Sequence, residues 1–284
     1  MEPFIRNEAE EKPALFMLEP WMNRYHGLSA GFTGRDGGVG EAPYHTLNCA
    51  FHVGDRPEDV IANRERVASE LGFTLADWTC GEQVHSANIA VIGEHQRGAG
   101  SLDRESGIQD TDGLLTDVPG VMLTSFYADC VPLFFYDPVH QAVGLAHAGW
   151  KGTVAGIAGS MVERMLETFG SRSEDIVAAI GPSIGTCCYE VDEKVMAHVH
   201  DLEKHFLGNE QYSPSDWYIA KDGGKSMLNL KEMNRHIMIK AGILPTHIEC
   251  TSWCTSCRND LFFSYRKDGG TTGRMASWIG LKER

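Results

Sequence analysis

Cys130 and His147 each stand at the end of an apolar run, and a thiol and an imidazole so placed support two kinds of chemistry. They form a thiolate with its general base, or they are two ligands of one soft or borderline metal ion. His85, in CGEQVHSANIAVIG, interrupts a strand-like pattern that resumes at residues 88–92 and offers a third donor. Two imidazoles and one thiolate suit zinc, and three protein ligands leave a coordination position for water or substrate, as catalytic sites do. The gaps between the three residues are long. Spacing alone therefore leaves a buried thiol and core histidines as the plainer reading.

The elements that must position these side chains lie mostly in residues 112–156. Apolar runs at 121–127, 133–136 and 141–146 predict three short strands. The first stops at Ala128, Asp129 and Cys130, and Pro132, lacking an N–H, predicts an interrupted ladder there. The second turns at Asp137-Pro138, and the third stops at His147 before Gly149, Trp150 and Gly152 open a helix. Asp129 is either a turn carboxylate or a group that orients a ligand or assists proton transfer.

Upstream, residues 28–33 and 47–53 predict a strand pair joined by RDGGVGEAPY, where Arg35 is a turn residue or an anion contact. Asp55, Pro57 and Glu58 make a capping-box-like start for a helix reaching about Leu71. Val60, Val67 and Leu71 give it an apolar face, and Arg64 falls on that face. The guanidinium there needs a buried carboxylate or a substrate anion. Strands at 79–83 and 87–92 bracket His85, and the polar, Gly-rich residues 94–113 form a rim or lid.

Downstream, a single helix is predicted over 153–169, a strand over 176–180 ending in GPSIG, a helix capped by Asp192, and another carrying Leu230, Met233 and Ile237. His236 and His247 have no evident partner. Residues 260–280 predict a hairpin, made locally basic by Arg266, Lys267 and Arg274. Residues 1–20 read as a loosely held lead-in and 21–284 as one domain. Its class is α+β, with a mixed sheet flanked by helices.

Composition narrows the function. The 284 residues are 42% hydrophobic and 23% charged with a net charge of -14, which argues against nucleic acid as principal partner. No apolar run is long enough to span a bilayer and the first residues are acidic, so no membrane is expected and the expected location is cytoplasmic. An anionic small substrate needs a local cationic cluster, for which Arg64 leads, followed by Arg35, Arg266 and Arg274. The eight cysteines are expected to be free or metal-bound. Cys250, Cys254 and Cys257 lack a matching second pair and read as structural or incidental, and the adjacent Cys187 and Cys188 are expected to point apart.

Together AGFTGRDGGVGEAPYHTLN, HVGDRPEDVIANR, CGEQVHSANI, ADCVPLFFYDP, GLAHAGWKGT, GPSIGTCCYEV and FFSYRKDGGTTGRMASWIG resemble the laccase-domain family of YfiH/YlmD type, formerly described as polyphenol oxidases. The resemblance covers nearly the whole chain after the first two dozen residues. It departs where the family often has Arg at Lys151 and Ser at Gly40. It implies metal ligation by the His of VHS, the Cys of ADC and the His of HAGW, which are His85, Cys130 and His147. It also implies zinc-dependent phosphorolysis of the purine nucleosides adenosine, inosine and methylthioadenosine, with phosphate as co-substrate and adenosine deamination as a companion activity. Three rivals remain: a cysteine hydrolase or amidase acting on a cell-wall precursor through Cys130, a copper-dependent polyphenol oxidase, and a non-catalytic metal-binding protein. The second would need more histidine pairs than the chain carries.

Overall fold

Strands rich in apolar residues on both faces need cover on both sides, and here they receive it from another sheet and from helices. The computed structural model describes residues 1–7, 12–206 and 212–283. One six-stranded sheet has the spatial order β1 (Phe4–Arg6), β2 (Leu15–Leu18), β3 (Leu28–Thr33), β15 (Met275–Leu281), β7 (Met122–Tyr127), β4 (Trp78–Cys80). Only its β7–β4 pair is parallel. The second has the order β14 (Ile248–Cys250), β10 (Val177–Ile180), β8 (Val131–Asp137), β9 (Ala142–Ala148), β6 (Gly113–Thr116), β5 (Ile89–Val91), antiparallel inside and parallel at both edges. A small antiparallel sheet joins β11 (Glu190–Val191), β13 (Lys225–Leu228) and β12 (Tyr218–Lys221).

Side-chain alternation along the strands sorts the core into three layers. Leu123 and Tyr127 of β7 meet Phe134 and Tyr136 of β8 and Val143 and Leu145 of β9 between the two large sheets. Met122 and Phe126 face the other way, under Val67, Ala68 and Leu71 of helix α2 (Pro57–Leu71). Leu133 and Phe135 face the helical layer, where Met161 and Met165 pack with Val199, Met233 and Ile237. The helices are α1 (Glu19–Arg24), α2, α3 (Trp150–Val154), α4 (Ile157–Phe169), α5 (Glu193–Glu203), α6 (Pro214–Trp217) and α7 (Leu230–Lys240). The class is α+β with mixed sheet flanked by helices, as expected, with two facing sheets in place of one. No helix among the described residues is long and apolar enough to cross a membrane.

Several expectations are corrected. Residues 1–20 are not a loose lead-in where they are described: β1 and β2 pair in register, and Phe4, Leu15, Phe16 and Leu18 are buried. Residues 47–50 form a buried loop that leads into a more exposed 3-10 turn at Phe51–Val53. Asn63 Nδ2 donates to the carbonyls of Thr46 and Asn48, which satisfies groups a partner strand would otherwise serve. Helix α2 starts without a capping box; Asp55 instead accepts from the Arg56 N–H and from Asn48. The tail is no hairpin, since only β15 is a strand and it lies between β3 and β7. His236 Nδ1 accepts from Trp217 Nε1 at 2.9 Å.

Pro132 does not break β8. It sits opposite His147, whose own N–H turns to Asp112, so no bond is needed between the two; the Pro132 carbonyl accepts from Gly181 on the other side. The predicted helix over 153–169 is two helices, because Gly156 adopts φ 79° and starts α4 afresh. An added Cβ there meets nothing within 4 Å, so the cost of Gly156→Ala is purely conformational. Urea denaturation is expected to show a loss of about 1 kcal/mol with unchanged m-value; no loss would contradict the left-handed joint.

Candidate metal centre and its cavity

The chain leaves the parallel strands β4 and β7 at the same end of the first sheet, and β9 ends beside them on the second. Odd-numbered residues of β9 face the space between the sheets, which brings the His147 ring within 5.4 Å of the Tyr127 ring, centroid to centroid. His85 follows β4, and Cys130 follows β7. Their donor atoms and that of His147 all lie within 4.8 Å of one another, with Cys130 Sγ 4.0 Å from His85 Nε2. A tetrahedral ion bonded at about 2.0–2.3 Å spaces its ligands by about 3.3–3.8 Å. The three donors therefore fit one ion with small adjustments. His147 is buried, Cys130 half-buried and His85 exposed, so the set opens on one side.

Asp112 fixes this arrangement, and sequence reasoning missed it. β6 begins beside the end of β9, which puts the carboxylate behind His147: Oδ1 accepts from His147 Nδ1 at 2.8 Å and from the His85 N–H at 3.1 Å. Oδ2 accepts from the Ser86 N–H at 2.7 Å, the Ser86 hydroxyl at 2.9 Å and the Val84 N–H at 3.1 Å. Burial alone would raise the pKa of Asp112; the donors from His147 and Ser86 bring it below the usual carboxylate range. An ionised Asp112 holds a proton on His147 Nδ1 and leaves Nε2 to act as ligand. It also anchors His85, whose φ of 62° is unfavourable for a residue with a side chain.

Cys130 and His147 perturb one another. Burial would raise the thiol pKa, but the neighbouring His147 and His85 bring it down to about 6. Burial would lower that of His147, but Cys130 and Asp112 lift it to about 9. Gly149 completes the fit: a Cβ there would lie 2.9 Å from His85 Cδ2 and 3.1 Å from Cys130 Sγ, filling the room the donors need.

Asp129 plays the part of a tie. It has φ 90°, and its oxygens accept from the Thr255 hydroxyl at 2.7 Å and the Arg266 N–H at 2.8 Å while its carbonyl accepts from Ile184. It also lines the cavity in front of the donors, which measures about 780 Å³.

Of the predicted cations, Arg64, Arg266 and Arg274 reach this cavity, joined by Arg104 and Lys151. Arg35 does not; its Nη1 donates to the Asn259 carbonyl at 2.7 Å and its guanidinium lies over Phe263. Arg64 is buried, as its helical position required, but it is not paired with a carboxylate. Nε donates to the Cys49 carbonyl and Nη1 to those of Gly100 and Ser101, with Phe51 and Phe126 on its faces. Residues 94–113 do form part of the rim, through Gly100, Asp103, Arg104 and Gly107. Tyr189 and Trp150 add aromatic surface; no sequence signal marked Tyr189, because the loop after β10 that carries it is held beside the distant segment after β14.

One expectation for the other cysteines, all of them free, is overturned. Cys187 and Cys188 do not point apart: their Sγ atoms lie 3.3 and 3.4 Å from Cys257 Sγ, and Cys254 completes the group.

A mixed His/Cys donor set, backed by a carboxylate and opening on a cationic cavity, defines an α+β protein with a candidate mononuclear centre at His85, Cys130 and His147. The chain belongs to the multi-copper polyphenol oxidoreductase laccase family, whose model matches residues 29–282. It is 44% identical over 259 residues to the purine nucleoside phosphorylase YlmD of Geobacillus stearothermophilus, covering 91% of this chain and 92% of that one. It is 39% identical over 280 residues to the protein of the same name from Bacillus subtilis, covering 95% and 96%. The crystal structure of YlmD from Geobacillus stearothermophilus superposes with a TM-score of 0.89 at 41% identity, over 99% of this chain and all of that one (100%). That of Bacillus licheniformis hypothetical protein YfiH gives 0.88 at 42%, over 98% and 99%.

Proposed function

We propose that the protein is a zinc-dependent purine nucleoside phosphorylase acting on adenosine, inosine and methylthioadenosine, with adenosine deaminase activity at the same site. The observation that carries this reading is the convergence of His85, Cys130 and His147 at the wall of a cavity rich in arginine, in a protein whose overall net charge is -14. The names of its relatives point the same way. The three residues would hold the ion, and bound zinc supplies a Lewis acid at the cavity wall.

In phosphorolysis a phosphate oxygen bonds to C1′ of the ribose as the bond from C1′ to the purine nitrogen breaks. The sugar passes through oxocarbenium character and the purine takes up a proton. Phosphate then needs cations that face the cavity. Arg266 is exposed beside Tyr189, and Arg274 is half-buried at the same wall. Arg64, held by three carbonyls, contributes positive potential from beneath rather than a free fork. Tyr189 and Trp150 offer faces for a purine. Asp112 keeps His147 in one tautomer, and Asp129 holds Arg266 in place through its backbone.

The test incubates the purified, metal-analysed protein with adenosine, with and without phosphate, and separates adenine, inosine and hypoxanthine. Adenine formed only with phosphate, and inosine formed without it, support the reading. Neither product at full metal occupancy would remove it. A cysteine hydrolase reading draws on the lowered thiol pKa of Cys130; it predicts turnover that survives loss of the ion.

Proton linkage gives a further expected result. Between the values of about 6 for Cys130 and about 9 for His147, the ion-free pair is a thiolate beside an imidazolium. Binding the ion must then displace the His147 proton, so affinity should rise about tenfold per pH unit across that window and level off above it. Below the lower value the thiol is protonated as well, and the fall steepens. Competition against a chromophoric chelator at a series of pH values checks this. A pH-independent affinity would show that these two residues are not ligands.

A further inference from the structure

Four of the remaining cysteines meet at a second place, on the far side of the cavity wall. β10 and β14 are parallel neighbours with Ile180 opposite Cys250, so the chain segments that follow them leave the sheet side by side. Backbone contacts keep them together: Thr251 N–H donates to the Ile180 carbonyl, Thr255 N–H donates to the Ser183 carbonyl, and Ser183 bridges to Cys254. One segment carries Cys187-Cys188 and the other Cys254-x-x-Cys257. All four Sγ atoms lie within 4.8 Å of one another, and those of Cys187 and Cys188 are 3.3 and 3.4 Å from that of Cys257.

A tetrahedral zinc ion with Zn–S bonds of about 2.3 Å spaces its sulfurs by about 3.8 Å. The observed separations bracket that value. Cys254 Sγ also accepts the Gly185 N–H at 3.2 Å, a contact that favours a thiolate. No carboxylate or imidazole belongs to the group, and four sulfurs close the coordination sphere, as in sites that hold structure rather than turn over substrate.

We propose that Cys187, Cys188, Cys254 and Cys257 form a second, purely structural zinc site, separate from the His85–Cys130–His147 centre. The four thiols lose their protons to solvent as the ion binds, and no redox partner is involved. The ion fastens two segments that shape the substrate cavity. Ile184 and Tyr189 line its wall from the first, and Thr255 of the second holds Asp129. Arg266 reaches back to the carbonyl of Glu190, beside the same cysteine pair.

The test counts zinc in protein isolated under reducing conditions. The unaltered chain should carry about two ions, with one lost in C257S and the other lost in a H85A/H147A variant. Cys187 and Cys257 are exposed, so serine at either should leave the fold intact, which circular dichroism verifies. Cobalt replacement adds an independent readout. A tetrathiolate charge-transfer spectrum should persist in H85A/H147A and vanish in C187S and C257S. The proposal is overturned if zinc content is unchanged in folded C257S, if the H85A/H147A protein holds no metal, or if peptide mapping of the freshly isolated chain finds Cys187 or Cys188 in a disulfide with Cys254 or Cys257. None of these measurements reads nucleoside turnover, so they stand or fall apart from the proposed activity.

Discussion

If the proposed function holds, Cys130→Ser is expected to remove the ion from the candidate centre and lower nucleoside turnover by about a thousandfold or more, since a Lewis-acid ion contributes several kcal/mol to a transition state. Serine keeps the size of the side chain but offers a hydroxyl that stays protonated at neutral pH, a poor ligand beside two imidazoles. His85→Ala should fall in the same range. That second variant separates the readings, because a nucleophilic pair made of Cys130 and His147 does not need His85. Metal analysis alongside steady-state kinetics decides the matter; a His85→Ala protein that lost its ion and retained full activity would end the metal-dependent account.

Asp112→Asn is expected to weaken metal binding by about 10–100-fold. The amide oxygen still reaches His147 Nδ1, but an NH2 group replaces the oxygen that accepts from Val84 and from the N–H and hydroxyl of Ser86. Those donors then face another donor, which costs about 1–3 kcal/mol for each buried group left unpaired. His85 also loses the charge that steadies its left-handed backbone. Chelator competition gives the affinity and a melting curve gives the stability. An Asp112→Asn protein that binds metal as the parent does would show that the carboxylate is not positioning the ligands.

The sequence carried the local half of this structure. The apolar runs of β7, β8 and β9 announced themselves because each strand is buried on both faces, and Pro57 with the periodic Val60, Val67 and Leu71 marked α2. His85, Cys130 and His147 were visible as strand-end residues, while their convergence depends on β4, β7 and β9 meeting across two sheets. Asp112 escaped notice for that reason: only the β6–β9 register sets it behind His147. The four-cysteine group failed in the same way, since Cys187-Cys188 and Cys254-x-x-Cys257 are brought together by the parallel pairing of β10 with β14. Arg64 was placed correctly in the interior, but its partners proved to be carbonyls from two distant loops, which no helical pattern specifies.

β15 has a consequence for how the chain reaches this state. β3 and β7 do not touch as neighbours; each pairs with a segment made long after both of them. On a ribosome the early strands emerge with open edges and stay so until residues 275–281 arrive to close the sheet. Assembly is therefore a late event with contacts far apart in the chain, a pattern that slows folding and lengthens the time during which those edges are open to other molecules.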